Sequence, residues 1–477
     1  MQIISFVFAG FVAIVFTILF SVNKIVQDDK TAVNTANIVL LVASYIFIVY
    51  ADYRFAIVLA SLTIVTWYSA QNKKAYKFGI LTAILILCYF KYTNFFLSSL
   101  AGVFGTSHST LNIILPLGIS FYTFSAISYI VDVSREKIVP RNLIDVALYL
   151  AYFPKITCGP IQTNYDFMTQ IGKKRVVGWD TFAPGIQIFV YGLFKKLVLA
   201  DRLSVFVDQV YATPSAFGSL TVSLSAIAYA FQVYYDFSGY SDMAIGVSKL
   251  LGIDLPRNFN LPYVAHNVTE MWRRWHITLS NWLQKYVYIS LGGNRKGTVR
   301  TYINLIITMV VGGFWHGANW TYLTWGFLHG IALAIHKVWM KASGSDRNNH
   351  SVITNVLCIC LTFLFHSFCC IFFRAETMGQ AIAIIRRIFT FQKGLEQPYL
   401  WLFISIIVTA IASISAYIKA VRNNTPSPNK TNVSIVEGYY PLADLSSFWG
   451  LVVFFVICGI LLCLAYTGGS PFIYGKY

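Results

Sequence analysis

Apolar stretches of about 18 or more residues, each long enough to cross a hydrocarbon layer of about 30 Å as a helix, recur along this chain. They run at 3–22, around 78–90 with its flanks, and at 303–328, 352–373, 400–418 and 448–466. A chain built this way is expected to be an all-α polytopic membrane protein, because a helix satisfies its own backbone N–H and C=O groups where no water can. Composition agrees. Of 477 residues, 57% are hydrophobic, 17% aromatic and only 12% charged, far too apolar for a soluble domain of this length.

The formal net charge is +17. In a soluble protein that would point to nucleic acid, but no basic soluble domain or reading module is present, and cytoplasmic loops of membrane proteins accumulate Lys and Arg. No nucleic-acid partner is expected; membrane lipid is. Used for topology, the charges fit an N-terminus outside, with Lys73, Lys74 and Lys77, then Arg135, Lys137 and Arg141, in the cytoplasm. The first apolar segment has no basic residue ahead of it and reads as a retained span, not a cleaved signal. The eight cysteines sit almost all inside apolar runs and read as small packing residues rather than a disulfide framework or zinc site.

Three parts are distinguishable: N-terminal spans over 1–110, a middle part over 111–341, and C-terminal spans over 342–477 that include a polar loop near 423–432. In the middle part Pro, Gly, His, Arg and Asp are threaded among apolar and aromatic residues, a pattern tolerated at membrane depth only where backbone is buried in protein or lines a polar cavity. Two elements stand out there. Residues 152–160 carry Pro154 and Pro160 in an apolar setting, which predicts a re-entrant turn. Residues 270–286 have helical period, with Trp272, Trp275, Leu279, Trp282, Leu283 and Tyr286 on one face, which predicts a helix lying in the interface with His276 turned to its aromatic side.

The segment GFWHGANW at 313–320 places His316 in an apolar run otherwise free of ionisable residues. A charge there costs roughly 2.5–3.5 kcal/mol on insertion scales, and histidine avoids the cost by staying neutral, the form a general base needs. From the residues alone, catalysis and a hydrogen-bonded packing role both stay open. Asp236, Asp242, Asp254, Arg257, Asn258 and His276 crowd the same region, each with a structural reading of its own. His266, His276, His316, His329 and His336 are available to a metal, but no His-Glu-x-x-His or paired-Cys spacing occurs, and no metal is expected. The turn at 292–297 with Arg295, Lys296 and Arg300 suits coenzyme phosphates or a cytoplasmic anchor, and lacks the P-loop pattern. There is no Gly-x-Ser-x-Gly elbow, and no histidine is followed by Asp at the fifth position after it, which weakens serine-hydrolase and glycerolipid acyltransferase chemistry.

LPLGISFYTF at 115–124, CGPI at 158–161, YDFSGYSD at 235–242, PRNF at 256–259, WRRWHITLS at 272–280, LGGNR at 291–295 and GFWHGANW at 313–320 together resemble the membrane-bound O-acyltransferase family. The likeness is to its bacterial branch acting on alginate and peptidoglycan, which also includes the D-alanyl transferase for teichoic acid. The ending SPFIY at 470–474 is similar to that of the branch, although Gly475, Lys476 and Tyr477 depart from it. The resemblance implies a ring of about 11 or more transmembrane helices, with re-entrant and interfacial helices, around a central funnel. It implies His316 as catalytic base and His276 as second functional histidine. Asp236, Ser238, Asn258, Trp272, Arg274, Trp275, Trp315 and Asn319 are then expected to line the funnel, and Arg295, Lys296 and Arg300 to meet the coenzyme. The implied reaction moves acetyl from cytosolic acetyl-CoA, a substrate and not a bound cofactor, across a bacterial cytoplasmic membrane to a polysaccharide, with an extracytoplasmic acetyltransferase as partner. D-alanyl transfer from a carrier protein, or a transporter or scaffold without chemistry, are the alternatives.

Overall fold

The computed structural model describes residues 3–106, 109–343, 351–422 and 441–468; the polar loop at 423–432 and the ending at 470–474 lie outside them. Among the described residues the regular elements are helical, and the one extended pairing is an isolated bridge between Phe217 and Leu395. Among the described residues seven helices are long and apolar enough to cross a membrane: Phe6–Ile25, Asp29–Ala51, Tyr53–Gln71, Tyr76–Phe104, Trp179–Ala212, Val352–Arg374 and Leu400–Ile418. Their outward faces carry large apolar side chains such as Ile14, Ile57, Leu81, Leu361 and Ile411, each more than half exposed. Each such side chain left in water forgoes about 1.5–3 kcal/mol of burial, so only a lipid surround makes these faces stable.

Two compact units emerge. One comprises residues 1–193 and 240–256, the other residues 194–239 and 257–477, and the helix Ser219–Leu250 contributes to both. In the first, polar joints start helices as their composition predicts. Asp28 accepts from Thr31 N at 2.8 Å, Asn142 from Asp145 N at 2.8 Å, and Thr163 from Asp166 N at 3.2 Å, satisfying N–H groups that a helix start leaves open. Lys73 pairs with Glu136 at 2.5 Å, Gln71 donates to the Arg141 carbonyl at 2.9 Å, and Lys174 pairs with Asp29 at 2.8 Å. Helices Asp29–Ala51 and Tyr53–Gln71 are antiparallel neighbours joined at Asp52, so these contacts gather Lys73, Lys74, Arg135, Lys137, Arg141 and Lys174 at one end of the unit.

The proline-bracketed segment of this unit breaks as expected. Helix Leu143–Ala151 stops, a single turn Phe153–Ile156 follows, and the chain returns through Asn164–Ile171. Phe153 packs edge-on against Phe11 at 5.1 Å, its N–H donates to Ser44 Oγ at 3.1 Å, and Lys155 is buried over the Tyr149 and Phe167 rings at 4.1 and 4.3 Å.

In the second unit the apolar run at 303–328 is not one span. It is a hairpin of Thr298–His316 and Trp320–Ser343, turning at residues 317–319, because Gly317 runs extended and Asn319 Oδ1 takes the N–H of Thr321 at 3.1 Å to start the second helix. A Cβ at Gly313 would overlap the Tyr322 carbonyl and one at Gly326 the Met309 carbonyl, so these glycines let the two backbones touch.

Candidate active site

His316 is the last residue of Thr298–His316 and is 3% exposed. Helix geometry and the turn at 317–319 deliver its ring into an aromatic wall: Trp315 at 5.0 Å, Trp325 at 5.2 Å and 90°, and Phe373 at 5.1 Å and 74° between centroids and planes. Edge-to-face contacts of this kind fix ring orientation and contribute about 0.5–1.5 kcal/mol per pair beyond burial.

The single helix expected over 270–286 is instead two, Val268–Arg274 and Ile277–Trp282, followed by a π-helical turn Leu283–Tyr288. They break at His276, whose backbone is left-handed at φ 41° and ψ 53°. Local hydrogen bonds hold that break. Ile277 N donates to the Asn258 carbonyl at 2.8 Å, Thr278 Oγ1 to Asn258 Oδ1 at 2.5 Å, and Asn260 N to the Arg274 carbonyl at 2.9 Å. Arg274 in turn pairs with Glu270 at 2.9 Å, and Glu270 accepts from His266 N at 3.0 Å. Burial pushes the Glu270 carboxyl up, but the hydrogen bonds from the His266 ring and backbone and the Arg274 guanidinium outweigh it and hold the group at about 2. Asn258 and Arg274 thus brace the hinge.

The hinge places His276 at 0% exposure, its centroid 6.2 Å from that of His316, 6.0 Å from Trp315 and 4.6 Å from Phe237. Neither of its ring nitrogens has a hydrogen-bond partner among the described residues. Burial pushes its imidazole down to about 3, so it is neutral at physiological pH. Two buried imidazoles side by side at the edge of an aromatic wall, 6.2 Å apart between centroids, place proton-accepting nitrogens where the wall excludes the water that would compete.

The remaining predicted residues divide. Trp272 and Trp275 belong to the wall: Trp272 lies 5.7 Å from Trp325, and its Nε1 donates to His329 Nδ1 at 3.4 Å, while Trp275 lies 4.7 Å from His366. Ser238 is buried nearby in sequence, and its hydroxyl has no hydrogen-bond partner among the described residues. Asn319 serves the turn, donating to the Glu376 carbonyl at 2.8 Å. Asp236 accepts from Lys196 Nζ at 2.6 Å. Arg295, Lys296 and Arg300 are exposed at the opposite end of Thr298–His316, roughly 27 Å from His316 at 1.5 Å per residue. Among the described residues no group of three or more His, Cys, Asp or Glu side chains is placed to hold a metal, and the eight cysteines are free thiols.

Sequence reasoning did not place Trp325, Phe373 and His366 in the site or foresee Lys196 and Asp201 beside Asp236. His329 was weighed only as a metal ligand, yet it packs against Trp325 at 4.9 Å and lies 5.8 Å from His366. A histidine seven residues before His336 on an apolar helix is the one signal that could have drawn attention to it.

A multi-pass helical membrane protein with paired buried histidines set in tryptophan and phenylalanine is the class these features define. Residues 63–375 match the model of the membrane-bound O-acyltransferase family. Over 465 residues the chain is 37% identical to a protein of Pseudomonas putida named "probable alginate O-acetylase", covering 92% of this chain and 94% of that one. It is 34% identical over 384 residues to a peptidoglycan O-acetyltransferase of Helicobacter pylori, covering 73% and 72%. It is 30% identical over 254 residues to a teichoic acid D-alanyltransferase of Streptococcus thermophilus, covering 50% and 60%. The chain belongs to the membrane-bound O-acyltransferase family and is an O-acyltransferase.

Proposed function

We propose that this enzyme moves an acetyl group from cytosolic acetyl-CoA across a bacterial cytoplasmic membrane for O-acetylation of an extracytoplasmic polysaccharide, alginate-like or peptidoglycan. The observation that carries the reading is the His316–His276 pair, 6.2 Å apart and buried in the aromatic wall. His316 takes the proton of an acceptor hydroxyl as its oxygen attacks the thioester carbonyl. The C–S bond then breaks and the thiolate leaves with a proton returned from the imidazolium. His276 is the second member of the pair, its buried ring helping to fix the orientation of the site. The catalytic core is 111–341, flanked by the helices of 1–110 and 342–477 in a ring of about 11 or more spans around a funnel. Asp236, Ser238, Asn258, Trp272, Arg274, Trp275, Trp315 and Asn319 line or shape that funnel. Arg295, Lys296 and Arg300 meet donor phosphates at the cytoplasmic face, and the N-terminus lies outside. An extracytoplasmic acetyltransferase completes delivery.

Acetyl is favoured over D-alanyl because the likeness to the acetylating relatives extends over far more of the chain. The test offers the purified enzyme, with its partner, acetyl-CoA or a D-alanyl-charged carrier protein. Acetyl-CoA consumption coupled to acetylated product is expected; turnover of the charged carrier alone would overturn the acetyl assignment.

A further inference from the structure

One buried charge cluster in the second unit joins Asp236 to two residues, Lys196 and Asp201, that the chemistry so far does not use. Lys196, Asp201 and Asp236 are 3%, 2% and 1% exposed, and the Lys196 ammonium lies 2.8 Å from Asp201 and 2.6 Å from Asp236. Three ionisable groups placed together away from water are costly unless their mutual geometry is good, and they are retained at membrane depth for a task. The lysine sits in a π-helical turn, Phe194–Ala200, inside the span Trp179–Ala212. That turn is anchored from outside itself, the Leu197 carbonyl accepting from Tyr466 N at 3.0 Å, and just beyond it Arg202 donates to the Leu464 carbonyl at 3.2 Å. Asp236 is the residue before Phe237, whose ring meets His276 edge-on at 4.6 Å and 79° and Phe259 at 5.2 Å and 83°. The fixed post therefore grips the helix one residue from the ring on which His276 rests.

We propose that Lys196 is a positioning residue for acyl transfer: held by Asp201, it clamps Asp236 and so fixes Phe237 beneath His276. This rests on the reading of His276 and His316 as the working pair. The clamp has a signature that a purely structural ion cluster lacks. Removing one partner leaves buried charge uncompensated and destabilises the fold, whereas replacing all three charges with neutral groups of similar size spares stability. A positioning role survives that repair as a defect in kcat, since reacting groups displaced by a fraction of an ångström lose rate while ground-state binding is kept.

The experiment compares wild type, Lys196→Met, the triple variant Lys196→Met/Asp201→Asn/Asp236→Asn, Phe237→Ala and Lys196→Met/Phe237→Ala, measuring thermal unfolding in detergent, kcat, and KM for acetyl-CoA. The triple variant is expected to unfold near the wild-type temperature yet show kcat lowered about 10- to 100-fold with KM within about threefold. In the Phe237→Ala background, Lys196→Met should lower kcat less than twofold further, because the link it acts through is gone. Recovery of kcat together with stability in the triple variant would overturn the proposal, as would fully multiplicative losses in the double variant. His316→Ala and His276→Ala run in parallel separate the two claims: full activity in both would sink the histidine reading itself.

Discussion

Backbone at φ 41° costs a β-carbon-bearing residue about 1–2 kcal/mol, so a histidine held there is maintained by its surroundings. At position 276 those surroundings are the Asn258 and Arg274 hydrogen bonds and the ring contacts. His276→Gly and His276→Ala should therefore both lose transfer activity, but the glycine variant should be the more stable, by about 1 kcal/mol, and melt at the higher temperature in the solubilised protein. Equal stability would mean that the hinge is not strained. Glu270 gives the pH-dependent prediction. Its carboxyl is held at about 2, below the unfolded value near 4.5, so its stabilisation is present above about pH 4.5 and is lost as pH falls toward 2. Glu270→Gln should destabilise by on the order of 2 kcal/mol at pH 7 and by clearly less at pH 3; a pH-independent loss would contradict the pairing with His266 and Arg274. His316 was legible in the sequence because an ionisable residue in an apolar run is conspicuous, whereas His276, two residues after Arg274, stood out only by its place on an aromatic helical face and by the family resemblance. Lys196 and His366 were not legible, since their meaning lies in contacts 40 or more residues away in sequence: Lys196 with Asp236, His366 with Trp275.

Hydropathy located the spans well where a helix is uniformly apolar, as at Val352–Arg374 and Leu400–Arg422. It failed where glycines allow a reversal inside an apolar run, since hydropathy records no backbone direction. The hairpin of Thr298–His316 with Trp320–Ser343 replaces one expected span for that reason, and 270–286 reads as one helix because a helical period carries through a two-residue break at Trp275 and His276. The hairpin is also where element packing is least forgiving. Gly326→Leu inserts a side chain where a Cβ would already meet the Met309 backbone, and overpacking of this kind costs about 1–3 kcal/mol or more. Reduced melting temperature and broadened size-exclusion behaviour are expected, with activity lost through misplacement of His316. A wild-type melt and elution for this variant would show that the two helices are not in backbone contact.

On the scale of the whole molecule, charge distribution and chemistry meet. The first unit gathers Lys73, Lys74, Arg135, Lys137, Arg141 and Lys174 at one end, the end that positive-inside bias assigns to the cytoplasm, and acetyl-CoA with its phosphates cannot pass a hydrocarbon layer. Membership of the family was readable from motifs between 115 and 320, whereas the pairing of the histidines at ring distance required the fold. The central claim is that His316 is the base for transfer of acetyl supplied from the cytoplasmic face. The most direct measurement reconstitutes the enzyme, in one orientation fixed by labelling a cysteine introduced at Lys73, into vesicles with labelled acetyl-CoA on one side and acceptor with the partner on the other. Acetylated product should form only when the donor is on the Lys73 side and should fall at least about 100-fold in His316→Ala protein that inserts and melts like wild type. Undiminished product from the His316→Ala enzyme, or equal product with the donor on the opposite side, would contradict it.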